Sequence, residues 1–377
     1  MKPIFLARGL PPISVMRKLS QDVLRAYETV LKEDESAFLQ YGHFAGYEPL
    51  REKVAERFSV EKKRVFISNG SMDALHHFLL FLKTRGEIGA YLAGKEVYDR
   101  PLAIAKALGL NPQSISMTEE GLDISEVQEK METLSEKGIL YTIPWYDNPS
   151  GLLHSEQNMK ALSEVAKHNE WFVVRDGAYV ELSYFEPVAP LPVEDHVLQT
   201  FSWSKTINAA SHTGGIIIPE RYVDDFLFFL SSWRLSPVLP TQAVAFQLIQ
   251  SGAWNRYLQE ELLPDGRKRV SQFNELMDQY LPESKQRDIR GGHFWGGKIA
   301  GITLENWSRF VDIAKEQFGL HIPHHGGFLP LSSPEESVGY IRIPIFSEDP
   351  DIPNILERIV SGIAGARSAC LSLFSSL

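Results

Sequence analysis

The chain has almost no cysteine: Cys370 is the single one, so no intrachain disulfide is possible and a reducing compartment fits. It has no apolar run near the ~20 residues that a membrane-crossing helix needs. The densest stretch, Phe226-Leu227-Phe228-Phe229-Leu230, is bracketed by Asp225 and Ser231. The start, Met1-Lys2-Pro3-Ile4-Phe5-Leu6-Ala7-Arg8-Gly9, breaks too early for the apolar region of a signal peptide. Positive charge is in short supply, with 38 Lys and Arg against 48 Asp and Glu and a net charge of -10. That argues against nucleic-acid or anionic-membrane partners, which need clustered Lys and Arg. Metal-ligand clusters are lacking as well: His76 and His77 point different ways from one helix, and His324-His325 follow Pro323 in a loop. The expectation is a cytoplasmic protein with no nucleic-acid, membrane or metal partner.

What is present is an ordinary globular composition, 44% hydrophobic and 23% charged over 377 residues. That length is too great for one comfortable core, so two subdomains are expected. Residues 13–34 place apolar groups at Val15, Leu19, Val23, Tyr27 and Leu31, a helical spacing, and a second helix is expected from Glu48 to Phe58. From Val65 the texture alternates. Strand-like runs fall at Val65–Ile67, Ile88–Leu92, Gln113–Ser116, Ile139–Ile143, Trp171–Val174, Val197–Phe201 and Gly215–Ile218. Helical patterns lie between them at 71–84, 98–108, 123–136 and 155–168. Alternation of this kind predicts a mostly parallel sheet covered by helices. Residues 221–262 read as helical, interrupted at Pro237 and Pro240. Beyond about 265, helices near 267–281, 305–318 and 352–374 alternate with short strands near 297–303 and 340–345, which suits a smaller α+β domain.

In parallel sheets ligands sit beyond the carboxyl ends of the strands, and the residues there are chemically loaded. Ser68-Asn69-Gly70-Ser71-Met72-Asp73 leads into a helix, which suits either a turn with a cap or a phosphate cradle. Pro144-Trp145-Tyr146-Asp147-Asn148-Pro149-Ser150-Gly151 is a tightly constrained loop with Asn148 held extended before proline. Asp147 in it is expected to face solvent, and Trp145 to pack. Asp176-Gly177-Ala178-Tyr179 puts a carboxylate at the end of a buried strand, where it must be paired or hydrogen-bonded. Phe201-Ser202-Trp203-Ser204-Lys205-Thr206 delivers a lysine in the same way. A phosphate turn, an Asn, an Asp with a Tyr, and a Lys on successive strands suit one cofactor, pyridoxal phosphate. It needs an amine for a Schiff base and a carboxylate at its ring nitrogen.

On these segments, in this order, the chain resembles the class I/II aminotransferases, fold type I of the pyridoxal-phosphate enzymes. The resemblance covers about residues 8–347 and includes Tyr41-Gly42…Gly46…Leu50-Arg51 and the closing Gly339-Tyr340-Ile341-Arg342-Ile343. It implies a three-layer α/β/α large domain with a mostly parallel seven-stranded sheet over residues 45–255. It also implies a small domain from both chain ends, 1–44 and 256–377. The implied activity moves an amino group between an L-amino acid and a 2-oxo acid, with pyridoxal 5'-phosphate as cofactor. A lyase or cyclase acting on a modified amino acid is the alternative. A ligand-sensing module of a transcription factor is a third reading, opposed by the acidic charge and by the roughly forty residues before Tyr41.

The resemblance carries residue roles with it. Lys205 forms the Schiff base and shuttles a proton, Asp176 holds the ring nitrogen, and Tyr98 stacks on the ring. Asn148 and Tyr179 bond the ring oxygen. Gly70, Ser71, Met72, Ser202 and Ser204 hold the phosphate, and Tyr41 reaches the phosphate of a neighbouring subunit, implying a homodimer with shared sites. Arg342 pairs with the substrate carboxylate, assisted by Asn148 and by Gly9. Substrate side-chain choice is expected from residues 7–12, 291–295 and 324–328. The chain departs from the family after the lysine. Ala209-Ala210 replace Pro-Gly, and His212 stands where an arginine would grip the phosphate, so the cofactor should be held less tightly or more pH-dependently.

Overall fold

The protein is described by a computed structural model over residues 2–6, 9, 12–188, 191–323, 329–349, 352 and 354–374. Arg8, His324 and His325 lie outside the described residues.

Seven strands build the central sheet: β1 (Val65–Ser68), β2 (Ala90–Gly94), β3 (Asn111–Ile115), β4 (Gly138–Thr142), β5 (Phe172–Gly177), β6 (Val197–Ser202) and β7 (Gly214–Ile217). Their order is β1-β7-β6-β5-β4-β2-β3. β7 runs antiparallel to both neighbours and the other pairings are parallel. Every residue of β2, β4, β5 and β6 is buried, as a sheet covered on both faces requires. Pro112 is tolerated in β3 because β3 is an edge strand.

The helices are α1 (Ser20–Glu33), α2 (Glu48–Phe58), α3 (Ser71–Thr84), α4 (Asp99–Ala107), α5 (Ile124–Thr133), α6 (Glu156–His168), α7 (Val223–Trp233), α8 (Leu239–Gln250), α9 (Leu263–Tyr280), α10 (Trp307–Phe318) and α11 (Ile355–Phe374). Pro240 opens α8 rather than interrupting a helix. The expected face of α1 is kept in part: Val23 and Tyr27 pack partly buried against the core, whereas Leu31 is exposed and Ala26 and Val30 are buried. A strict spacing of four drifts about 40° per step around a 3.6-residue helix. By the fifth member the stripe has therefore turned to solvent.

A second sheet pairs β8 (Phe294–Lys298) antiparallel with β9 (Tyr340–Pro344), setting Gly296 opposite Arg342. The first of these strands, expected near 297–303, begins three residues earlier and takes in both glycines. Glycine is needed there. A Cβ on Gly296 would lie 2.4 Å from the Tyr340 hydroxyl and 2.7 Å from the Pro149 carbonyl oxygen. A strand glycine marks such a close approach of another backbone.

Candidate active site

The carboxyl ends of β1, β4, β5 and β6 converge on one site, and at β1 the chain turns into α3 through Gly70 at φ 98°, a conformation that glycine alone adopts freely. α5 and α6 have side-chain caps at their N-termini, from Asp123 and Ser155, whereas α3 has none. The first amides of α3, at Ser71 and Met72, therefore point into the site without a side-chain partner, at the positive end of a 14-residue helix. Gly214 keeps the approach open, because a Cβ there would sit 2.8 Å from the Ser71 nitrogen. Ser202 and Ser204 flank the turn, with the Ser204 N–H donating to Ser202 Oγ at 3.2 Å. A helix end of this kind can serve as an anion cradle. His212 borders it only through its main chain, its carbonyl oxygen lying 3.8 Å from where a Gly70 Cβ would be. Its imidazole is exposed on the rim, and its φ is 46°.

Asp176 ends β5 fully buried. Its Oδ1 accepts from the Ala178 N–H at 3.1 Å and from Thr200 Oγ1 at 3.2 Å; its Oδ2 accepts from the Tyr141 hydroxyl at 2.7 Å. Burial pushes the carboxyl upward, while the donors and Lys205 pull it back. Lys205 follows β6 in a turn closed by the Thr206 and Ile207 N–H groups donating to the Trp203 carbonyl. Burial and the Arg342 charge hold its amine below the usual lysine range, against the opposing pull of Asp176. A lysine made less basic by its surroundings is a better nucleophile than a solvated one. Tyr98 stands half-buried at the start of α4, its phenol raised by burial and by charges that include Asp176. Tyr179 is buried edge-on to Phe294, with ring centroids 6.3 Å apart.

The other wall comes from the second sheet. Arg342 donates from Nη1 to Asn148 Oδ1 at 2.8 Å, across 194 positions of chain. Its guanidinium carbon lies 4.1 Å from the centre of the Phe294 ring, a cation–π distance. Burial lowers it to about 10. Gly9 packs on the far side of Phe294, where a Cβ would lie 2.2 Å from the ring. His293 is fully buried between Tyr179, Phe294 and Phe346. Gly291 and Gly292 pack closely on Tyr146, which a Cβ on either would strike.

Asp147 does not face solvent: it is 3% exposed, with Oδ2 accepting from Ser150 Oγ at 2.9 Å. The turn through Tyr146 at φ 56° rolls it inward. Burial raises its carboxyl to about 8, with Glu96 adding to the rise. The folded protein thus favours the protonated acid, whereas the unfolded chain ionises at about 3.9. The stability that the neutral form contributes is whole below that value and is lost as pH climbs toward about 8, by up to about 1.4 kcal/mol per pH unit. Asp147→Asn keeps an acceptor for Ser150 and removes the titration. Its melting temperature should gain on the parent protein progressively from pH 5 to pH 8 and no further above; a constant difference across that range would refute the assignment.

Three partners of the site have no local motif. Thr200 and Tyr141 reach Asp176 from the two strands that flank β5. Arg234 is half-buried just after α7, donating to Ser68 Oγ at 2.6 Å and to the Phe44 carbonyl at 2.9 Å, with Asp73 3.6 Å away. It ties the Tyr41–Gly46 segment to the base of the anion cradle. The exposed side chains of Tyr41, Trp233, Leu235 and Val238 lie on these tied segments, and Leu39 is exposed just before them.

The family described as aminotransferase class I and II matches residues 4–260. Among characterised relatives, the 2-aminoadipate transaminase of Thermus thermophilus is 30% identical over 312 residues, 80% of this chain and 77% of its own length. Aromatic-amino-acid aminotransferase 1 of Thermococcus litoralis is 25% identical over 323 residues, 80% of this chain and 75% of its length. In fold, the chain is similar to the α-aminoadipate aminotransferase LysN of Thermus thermophilus, solved with N-(5'-phosphopyridoxyl)-L-leucine. That similarity has a TM-score of 0.81 at 21% identity, over 98% of this chain and 93% of the other.

Proposed function

The chain belongs to the class I and II aminotransferases, and from that membership we propose how its residues carry the reaction. It is a pyridoxal-phosphate-dependent aminotransferase, and its substrates are an amino acid and a 2-oxo acid. The residues present fit the cofactor: an uncapped helix N-terminus for a phosphate, and opposite it a buried, triply hydrogen-bonded carboxylate beside a lysine of lowered basicity. Bound there, pyridoxal 5'-phosphate supplies an electron sink for bond breaking at the substrate Cα. The α3 amides with Ser202 and Ser204 would hold its phosphate, Asp176 would hold the ring-nitrogen proton, Asn148 and Tyr179 would bond the ring oxygen, and Tyr98 would lie against the ring.

Arg342 binds the substrate α-carboxylate through its planar fork, and its contact with Asn148 orients that fork. Gly9 lies against Phe294 with no room for a side chain. Lys205 Nζ would carry the proton between Cα and the cofactor. The observation that carries this reading is that Lys205 feels the charges of both Asp176 and Arg342, the three coming from distant segments. It is tested by mixing the holoenzyme with a panel of amino acids in the absence of an acceptor. One equivalent of 2-oxo acid per site, and turnover only when a second 2-oxo acid is added, is expected. Ammonia release with no acceptor requirement would favour the lyase reading.

We further propose a cytoplasmic homodimer with shared sites, in which Tyr41 reaches the partner's phosphate cradle. Residues 45–255 would form the large domain and 1–44 with 256–377 the small one. The exposed apolar set Leu39, Tyr41, Phe228, Trp233, Leu235 and Val238 supports the dimer, since a surface of this kind otherwise stays wet at a cost. The free Cys370 is buried, and no helix among the described residues is long and apolar enough to cross a membrane. Trp233→Glu with Leu235→Glu should convert the dimer to monomer in sedimentation and lower cofactor affinity roughly tenfold or more, as the partner's contact is lost. An unchanged sedimentation coefficient would place the interface elsewhere.

A further inference from the structure

Behind Asp176 stands a pair of tyrosines. Tyr141 on β4 and Tyr91 on β2 are fully buried and stacked, with ring centroids 6.3 Å apart and planes 21° from parallel. They differ in one respect. The Tyr141 hydroxyl donates to Asp176 Oδ2 at 2.7 Å, whereas the Tyr91 hydroxyl is buried with no hydrogen-bond partner among the described residues. Among the described residues, Asp176 Oδ1 has two donors, the Ala178 N–H and Thr200, and Oδ2 has Tyr141 alone. A carboxylate anchored at both oxygens cannot rotate. One lone pair of Oδ2 remains for a group in the site.

We propose that Tyr141 is a positioning residue for the reaction: its hydroxyl fixes the rotation of the Asp176 carboxylate and stabilises its charged form, so that Oδ2 faces the cofactor ring nitrogen. The inference rests on the pyridoxal-phosphate reading of the site. Structural economy alone does not explain Tyr141. An isolated buried carboxylate is expensive, and a phenylalanine would fill the same stacked space without a polar group. The ionisable groups whose charge couples to Asp176 are Lys205 across the site and the phenols of Tyr91, Tyr98, Tyr141 and Tyr179. Lys205 and the hydrogen bond from Tyr141 favour the carboxylate anion; burial opposes it.

The stacked pair supplies its own control, because Tyr141→Phe and Tyr91→Phe each remove one buried hydroxyl from the same layer. Cofactor-free protein gives the first readout, an isotope-edited infrared titration of the Asp176 carboxyl, with Asp176→Asn assigning the band. Tyr141→Phe should raise the ionisation midpoint by about one pH unit or more. It should also weaken pyridoxal phosphate binding roughly tenfold. Tyr91→Phe should move neither. Fluorotyrosine at position 141, a stronger donor of nearly the same shape, should move the midpoint the opposite way, and it decides the matter if the phenylalanine variant does not fold. Equal behaviour of the two phenylalanine variants, or a midpoint unmoved by either change at 141, overturns the proposal. Failure of the parent to bind pyridoxal phosphate would instead overturn the cofactor reading, and the infrared titration would still judge Tyr141.

Discussion

Lys205→Ala should abolish turnover, by at least ~10⁴-fold, while leaving the fold intact. Two functions leave together: the amine that links to the cofactor, and the base that moves the Cα proton. General acid–base catalysis alone is worth roughly 10²–10⁴, and covalent capture adds to it. The fold should not suffer, because burial already disfavours the lysine's charge and truncation removes that unfavourable term. Asp176 loses a favourable charge but keeps its three donors. The variant should bind pyridoxal phosphate reversibly, without the visible absorbance of a lysine-linked cofactor, and melt within a few degrees of the parent protein. Residual activity above a few per cent of the parent would remove Lys205 from the chemistry.

Arg342→Leu should be nearly as damaging, but through binding. Truncating one partner of a buried, hydrogen-bonded charge pair costs about 2–5 kcal/mol. At about 1.4 kcal/mol per factor of ten, kcat/KM for amino acids should fall roughly 30- to 4000-fold. Arg342→Lys should recover little, because an ammonium keeps the charge but loses the fork that engages Asn148 and the carboxylate together. A double-mutant cycle isolates the contact. Amines that lack the α-carboxylate should react equally slowly with parent and variant. If Arg342→Leu slows them as much as it slows amino acids, the guanidinium supports the architecture of the site rather than the substrate. Part of the loss would then trace to Asn148, whose amide oxygen the guanidinium occupies in this structure.

Much of this protein is written locally. The seven strand runs all became strands of the central sheet, because near-continuous apolar segments bounded by turns need no distant information. α2 and α3 span the residues that their periodicity marked. The placement of Lys205, Asp176 and the Gly70 turn at strand ends was legible as well, since strand ends are local events. What was missed depends on neighbours in space. Asp147 looks like a solvated loop carboxylate until the turn through Tyr146 rolls it inward. Tyr141 is one aromatic among many until the sheet order puts β4 beside β5 and the register sets Tyr141 against Val174, two residues before Asp176. Arg342 meets Asn148 only because β8 and β9 close over the first sheet. Side-chain periodicity determines which residues are strand and helix. Strand order and the packing of two sheets decide which polar groups share a low-dielectric space, and there a hydrogen bond or a neighbouring charge sets the chemistry.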